Sequence, residues 1–162
     1  VQCAKLLSHP KKAEIMCSSL CEKIKSNYNK INIILSPAIG GIVVGYEVGR
    51  QLGIKTIFAE RLGGKLELRR GFDIPENSNV LIVEDVITTG KSALECSELI
   101  KTNKSNILGY SCIIDRSDNG ILNKDKIVSQ VRLKMETFKN NDLPDELKKV
   151  KPTKPGSRNL SK

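Results

Sequence analysis

The chain has 162 residues, of which 39% are hydrophobic, and a chain of this size can bury most of its surface around one core. No run of residues approaches the roughly 20 consecutive apolar side chains of a membrane helix, and we see no signal peptide. We therefore expect one soluble, cytoplasmic domain without a membrane partner.

Most of the formal net charge of +9 lies at the end of the chain, where residues 148–162 carry six basic side chains and no acidic one. This composition is typical of a solvated extension, so we divide the chain into a domain at residues 1–147 and a basic tail at 148–162. Aromatic platforms for bases are scarce, with three Phe, three Tyr and no Trp. These features argue against nucleic-acid binding, although a positive field would attract an anionic substrate.

The five cysteines show no C-x-x-C spacing, and the chain has a single histidine, His9. We interpret the cysteines as reduced, mostly buried side chains, because neither a disulfide framework nor a zinc site fits this pattern. One histidine also disfavours Ser-His-Asp catalysis and a two-histidine metal mechanism.

Hydrophobic periodicity predicts helices and strands that alternate along the chain. In order they are a helix at residues 9–28, a strand at 31–35, a helix at 42–52 ended by Gly53, a strand at 55–59, a charged segment at 60–71, a strand at 80–83, a helix at 93–101 and a strand at 107–114. Strands separated by such helices indicate right-handed βαβ units, and hence an α/β fold with a mainly parallel, Rossmann-like sheet flanked by helices. Ligands bind beyond the carboxyl ends of such strands, which places four segments at one edge: 37–41, 60–61, 84–92 and 115–116.

Residues 80–92 carry the most informative pattern, Val-Leu-Ile-Val-Glu-Asp-Val-Ile-Thr-Thr-Gly-Lys-Ser. Its apolar part predicts a buried strand, and the turn after it opens a helix whose amino-terminal N–H groups favour an anion. Thr88, Thr89 and Ser92 add hydroxyl donors, and Gly90 lets the backbone approach a phosphate. The turn therefore indicates a phosphate site.

An acidic pair, Glu84 and Asp85, precedes this turn. These acceptors suit ribose hydroxyls or, through water, a magnesium ion, so the whole pattern indicates a sugar phosphate. A Walker loop would need a glycine five residues before Gly90, where Asp85 stands, and the glycine cluster at residues 40–45 misses the G-x-G-x-x-G spacing. The sequence therefore disfavours an ordinary nucleotide triphosphatase or dehydrogenase.

Residues 80–92 closely resemble the phosphoribosyl-pyrophosphate signature of type I phosphoribosyltransferases. Further segments are similar to the orotate phosphoribosyltransferase branch of that family: Ser36-Pro37-Ala38-Ile39-Gly40-Gly41-Ile42, Phe58-Ala59-Glu60-Arg61, Leu68-Arg69-Arg70-Gly71-Phe72, Ile113-Ile114-Asp115-Arg116-Ser117 and Lys154-Pro155-Gly156-Ser157-Arg158. The resemblance implies transfer of ribose 5-phosphate from phosphoribosyl pyrophosphate to orotate, giving orotidine 5′-monophosphate and pyrophosphate in pyrimidine synthesis. It also implies the type I fold with a small hood, Mg²⁺ as cofactor and a homodimer that shares its active site.

The resemblance also assigns roles to individual residues. The substrate-binding segment for phosphoribosyl pyrophosphate maps onto Glu84, Asp85, Val86, Ile87, Thr88, Thr89, Gly90, Lys91 and Ser92. Pyrophosphate is expected on the backbone of Gly40 and Gly41, although some family members carry a lysine where Gly40 stands. Orotate is expected on Thr88 and on Arg116, whose planar fork suits a carboxylate.

The catalytic residues are expected to be Asp85 and three cations of the charged segment, Arg61, Lys65 and Arg69. The adjacent glycines Gly63 and Gly64 inside this segment favour a mobile loop that closes over the leaving pyrophosphate. In the family, this loop often reaches the pyrophosphate of the neighbouring subunit. Alternating apolar and charged residues at 65–69 also fit a solvated hairpin. Magnesium is expected mostly on substrate oxygens, so no protein ligand is assigned.

Three alternatives stay open at this point. Arg116 could instead pair with Asp115 or Asp118 at the end of the last predicted strand. A purine-type phosphoribosyltransferase would share residues 84–92. A non-enzymatic, nucleic-acid-binding regulator on the same fold would explain the basic tail.

The chain begins with Val1-Gln2-Cys3-Ala4-Lys5, which resembles a point a few tens of residues inside the family's usual sequence. The family's preceding segment supplies part of the small hood over the orotate ring, including a basic side chain. We expect a chain without that segment to have an incomplete hood, to keep the phosphoribosyl-pyrophosphate site, to bind orotate weakly and to turn over slowly.

Overall fold

Helices and strands alternate along the chain in the computed structural model, which describes residues 2–117, 122, 126–136, 138 and 140–151. The helices are α1 (Cys3–Leu7), α2 (Pro10–Asn27), α3 (Gly40–Leu52), α4 (Lys91–Thr102) and α5 (Asp145–Lys148). The strands are β1 (Ile33–Pro37), β2 (Lys55–Leu62), β3 (Lys65–Leu68), β4 (Asn79–Ile87), β5 (Asn106–Asp115) and β6 (Ile127–Arg132). A 3-10 turn, Asn140–Asp142, precedes α5. No helix in these ranges has the length and apolarity that crossing a membrane would require.

The strands of the described residues form one sheet in the order β3-β2-β1-β4-β5-β6. Neighbouring strands are parallel except at one edge, where β3 runs antiparallel to β2. Helix α4 packs on one face through Cys96 and Ile100, while α2 and α3 pack on the other through Ile24 and Val48. The predicted α/β fold with a mainly parallel, helix-flanked sheet is therefore confirmed.

Each helix and strand predicted from periodicity is present, and the structure adds α1, α5, β3 and β6. Gly53 ends α3 as predicted, with a left-handed φ of 68°. Strand β4 runs four residues beyond the predicted end, because Val86 and Ile87 continue to pair with β5 after the acidic pair. Glu84 and Asp85 therefore lie within the strand and not after it.

All five cysteines are buried free thiols, which confirms the interpretation of their spacing. Two regions used in the sequence analysis lie outside the described residues: Val1 and the Lys154–Arg158 motif, with most of the predicted tail at 148–162.

Candidate active site

An open cavity of about 830 Å³ lies at the carboxyl edge of the sheet, between the ends of β1, β2 and β4. The sequence predicts four segments at this edge of the sheet, and three of them line the cavity. They are residues 37–41, 60–61 and 84–92 except Ile87. The Ile87 side chain is buried in the core, so only its backbone could reach a ligand. The fourth segment, residues 115–116, follows the adjacent strand β5 but is not part of this lining.

The turn between β4 and α4 presents hydroxyl and backbone donors to the cavity. Thr88 and Thr89 are exposed, and the backbone N–H of Lys91 donates to Thr89 Oγ1 at 3.4 Å. Gly90 caps α4 in the left-handed region, with a φ of 77°, and a Cβ on it would lie 2.7 Å from the Leu122 side chain. Glycine is therefore required here on two grounds. The first turn of α4 lies at the cavity wall, where its N–H groups and dipole stabilise an anion.

The acidic pair occupies successive positions of β4, so the two side chains point to opposite faces of the sheet. Both residues line the cavity, Glu84 buried and Asp85 half-buried. Burial raises the pKa of Asp85 above its ordinary value, and backbone N–H groups of Val86 and of Asp85 itself partly oppose the shift. The cavity therefore has two carboxylates in different surroundings.

The loop from β1 to α3 brings backbone to the cavity wall without side chains in front of it. A cis peptide bond joins Ala38 to Ile39. A Cβ on Gly40 would lie 2.8 Å from Asp85 Oδ1, and one on Gly41 would lie 3.1 Å from a carbonyl oxygen of β4. A side chain at position 40 would therefore require the Asp85 carboxylate to shift.

The charged segment at residues 60–71 forms a β-hairpin from β2 and β3, so the structure has the hairpin alternative and not an open loop. Gly63 and Gly64 make its two-residue turn with φ values of 55° and 90°, the signs of a type I′ turn. Leu66 is buried in the core beneath α4. This packing fixes the hairpin on the sheet.

Arg61 is the hairpin cation that lines the cavity. Its guanidinium donates to Glu95 Oε2 at 2.6 Å and to the carbonyl oxygen of Gly64 at 2.5 Å. Lys65 and Arg69 are exposed and do not belong to the lining, so the structure does not bring these two predicted catalytic residues to the cavity of their own chain.

Arg116 directly follows β5, and its backbone N–H donates to the carbonyl oxygen of Ile87 at 2.8 Å. This bond places it beside the start of the turn that contains Thr88. Its Nε is buried and has no hydrogen-bond partner among the described residues. Asp115, one of its two alternative partners, binds other groups, and Asp118, the second, lies outside the described residues.

Two supporting residues of this region were not predicted from the sequence. Glu95, which holds Arg61, could have been noticed as an acidic residue in the second turn of a helix that opens at the phosphate site. Arg132, which binds Asp115, lies in a strand that was not predicted, so no pattern pointed to it.

The carboxylate oxygens of the cavity suit a magnesium ion that is bound partly by substrate. No three His, Cys, Asp or Glu side chains within the described ranges lie close enough to hold a metal by themselves. Glu84 and Asp85 are nonetheless the hard ligands that Mg²⁺ prefers, and this ion commonly keeps other positions for water and substrate. The residues present therefore suit an ion that arrives with a phosphorylated substrate.

Comparison with known proteins identifies the fold. A family model described as a phosphoribosyl transferase domain matches residues 4–144. Among solved structures, orotate phosphoribosyltransferase from Aeropyrum pernix superposes with a TM-score of 0.70 at 19% identity, covering 82% of this chain and 78% of that one. Adenine phosphoribosyltransferase from Thermoanaerobacter pseudethanolicus gives a TM-score of 0.65 at 15% identity, covering 79% and 84%. At these identities the structures establish the fold alone.

Curated sequences narrow the family to one branch. Orotate phosphoribosyltransferase from Thermoanaerobacter sp. (strain X514) is 44% identical over 158 residues, which cover 98% of this chain and 82% of the relative. The enzyme of the same name from Methylorubrum populi is 45% identical and covers 97% and 81%. The resemblance noted in the motifs is thereby confirmed along nearly the whole sequence, and the chain belongs to the orotate phosphoribosyltransferase family.

Proposed function

We propose that this chain transfers the ribose-5-phosphate group from phosphoribosyl pyrophosphate to orotate, as a cytoplasmic enzyme of de novo pyrimidine (UMP) synthesis. The products are orotidine 5′-monophosphate and pyrophosphate. One observation carries the proposal: the turn at residues 88–92, the acidic pair and the double glycine line one cavity at the carboxyl edge of the sheet. The relatives that share 44% and 45% of the sequence support the choice of orotate as the base.

Phosphoribosyl pyrophosphate would bind across this cavity with its two anionic ends apart. The hydroxyls of Thr88, Thr89 and Ser92 and the first turn of α4 suit the 5′-phosphate. Glu84 and Asp85 suit the ribose hydroxyls, because carboxylates accept hydrogen bonds and repel a phosphate. The positions of these two sets of groups therefore set the orientation of the bound ribose.

The pyrophosphate end would lie against Gly40 and Gly41, whose N–H groups no side chain obstructs. Arg61 adds a positive charge at the same wall, and Glu95 and the Gly64 carbonyl oxygen hold its guanidinium in place. A pre-positioned cation stabilises the charge that grows on the departing diphosphate.

Orotate would lie beyond the ribose, near Thr88 and Arg116. The guanidinium of Arg116 matches a carboxylate or paired carbonyl oxygens, and its buried Nε has no internal acceptor in the described residues. An anionic base would supply that acceptor.

The chemistry is a displacement at the anomeric carbon. A bond forms from the deprotonated ring nitrogen of orotate as the carbon–oxygen bond to pyrophosphate breaks, and the electron pair leaves with pyrophosphate. The reaction inverts the anomeric carbon through an oxocarbenium-like state. Because the orotate nitrogen is already deprotonated, no strong protein base is needed, which agrees with a chain that has one histidine. The protein aligns two anions and excludes water. Mg²⁺, held on substrate oxygens near Glu84 and Asp85, would neutralise part of the diphosphate charge.

We also propose that the active unit is a homodimer. An exposed apolar stripe comprises Ile39, which directly precedes α3, and Val43 and Tyr46 of α3; Ile39 and Tyr46 are 84% and 65% exposed. It adjoins an apolar groove of about 420 Å³ that includes Phe58 and Phe72. A second copy would cover this surface, which begins at the wall of the active site because Ile39 also lines the larger cavity.

A shared site would give Lys65 and Arg69 their role, since both are exposed and absent from the lining of their own cavity. Across the dimer they would meet the partner's pyrophosphate. Replacing either by alanine should then lower the turnover number more than substrate affinity. Mixing Arg69→Ala subunits with Asp85→Asn subunits should restore part of the activity, because one site of each mixed dimer is intact. Absence of restoration in a mixture that exchanges subunits would contradict a shared site.

A further inference from the structure

A buried carboxylate, Asp115, directly precedes Arg116. Its side chain is 1% exposed. Oδ1 accepts from the Ser117 N–H at 2.9 Å and from the Ser117 hydroxyl at 2.6 Å, and Oδ2 accepts from Arg132 Nε at 2.8 Å. The cation that neutralises Asp115 thus comes from the neighbouring strand β6 and not from the adjacent residue.

The backbone fixes this arrangement from both sides. Asp115 and Arg132 are partners in the parallel register of β5 and β6, and the Leu133 N–H donates to the Asp115 carbonyl oxygen at 2.9 Å. On the other side, the Arg116 N–H donates to the carbonyl oxygen of β4 residue Ile87 at 2.8 Å. The bond from the Ser117 N–H to the Asp115 carboxylate makes an Asx turn, which has Arg116 at its centre.

A buried carboxylate needs a cation or several donors, because an unneutralised buried charge is costly. If Arg132 is removed, the cation that can take its place is Arg116, which is the residue next to Asp115 in the sequence. We infer that Arg132 is a positioning residue: it occupies Asp115 and thereby keeps the Arg116 guanidinium available to the anionic base. This inference rests on the proposed function, in which Arg116 binds orotate.

The test compares substrate constants in Arg132→Ala. Drawing Arg116 toward Asp115 should raise the Michaelis constant for orotate roughly tenfold or more, the size expected when one charged hydrogen bond is lost. The constant for phosphoribosyl pyrophosphate should change by less than about twofold, since Arg132 lies in β6, two strands away from β4, and does not line the cavity. Arg132→Lys, which keeps the cation, should stay close to the parent.

The decisive variant adds Asp115→Asn to Arg132→Ala. It removes the competing charge, while the asparagine oxygen can still accept from Ser117, so orotate affinity should return to within about threefold of the parent. A purely structural role for the pair predicts no such recovery. Arg50→Ala is the matched control, because this arginine also holds an ion pair but lies at the far end of α3. It should leave both Michaelis constants unchanged.

Three results would overturn the inference in an active parent: unchanged orotate affinity in Arg132→Ala, equal effects on both substrates, or no recovery in the folded double variant. If Arg132→Ala does not fold, Arg132→Met keeps the packing of the stem and takes its place in the same comparison. Calorimetric titration with orotate reads the affinity independently of turnover. A parent that neither binds nor converts orotate would instead overturn the proposed function, and this inference with it.

Discussion

Asp85 and Gly40 meet at the cavity wall, where the absence of a side chain at position 40 leaves room for the carboxylate. We expect Asp85→Asn to lower kcat/KM by roughly 10- to 100-fold, because a charge-assisted contact to ribose or to hydrated magnesium is worth about 1.5–3 kcal/mol. Pyrophosphate release measures the effect. Asp73→Asn, on an exposed aspartate, is the control. Near-normal turnover of a folded Asp85→Asn protein would contradict the assigned role.

Arg116 is expected to act on one substrate only. Arg116→Ala should raise the Michaelis constant for orotate far more than that for phosphoribosyl pyrophosphate, because the guanidinium would contact the base and not the ribose phosphate. Steady-state kinetics with each substrate varied in turn provide the measurement. Equal changes for both substrates would indicate a structural arginine.

Residues in the local motif could be predicted from the sequence, whereas their supporting partners could not. The segment at 84–92 is contiguous, so its hydroxyls, glycine and carboxylates are visible together in the chain. Arg61 donates to Glu95, 34 positions away, and Arg132 donates to Asp115, 17 positions away. The packing of α4 brings Glu95 to Arg61, and the register of β6 with β5 brings Arg132 to Asp115.

The turn that opens α4 depends on Gly90 for two separate reasons, and a pair of variants separates them. Gly90→Ala would suffer both the left-handed φ and a collision with Leu122, while Gly53→Ala has a similar φ of 68° and nothing within 4 Å of the new Cβ. We expect Gly53→Ala to lower the free energy of unfolding by about 1 kcal/mol and Gly90→Ala by about 2–4 kcal/mol. Urea denaturation measures both. Equal losses would show that Leu122 moves aside.

The hairpin of β2 and β3 is an element that the sequence alone could not distinguish from a loop. Alternating residues and two adjacent glycines fitted both a mobile loop and a surface hairpin, because glycine permits either. Burial of Leu66 under α4 is a tertiary contact, and it decides for the hairpin. Strand β6 escaped prediction for a related reason: Ile-Val-Ser-Gln-Val-Arg is a half-polar edge strand whose pairing with β5 defines it.

For the molecule as a whole, the Asp115 carboxylate makes the free energy of unfolding depend on pH. Burial by itself would raise the pKa of Asp115, but hydrogen bonds from Ser117 and the Arg132 cation outweigh it and hold the pKa below its ordinary value. A group with a lowered folded pKa stabilises the protein above its unfolded pKa of about 3.9, and this contribution is lost as pH falls through the folded value.

The stability difference between the parent and Asp115→Asn should therefore be largest near pH 7 and shrink below about pH 4. Urea unfolding of both proteins across this range checks the expectation. A difference that stays constant to the lowest accessible pH, or that grows on acidification, would show that the carboxylate is not stabilised in its ionised form.

The base that accepts the ribose phosphate has to be tested directly, since solved adenine and orotate phosphoribosyltransferases both share the fold of this chain. The most direct measurement is pyrophosphate release from phosphoribosyl pyrophosphate and Mg²⁺ with orotate, adenine, guanine or uracil as the acceptor, at equal enzyme concentration. We predict release that depends on orotate and is lost when magnesium is chelated, with product identified as orotidine 5′-monophosphate. Release with adenine or guanine and none with orotate would contradict the account.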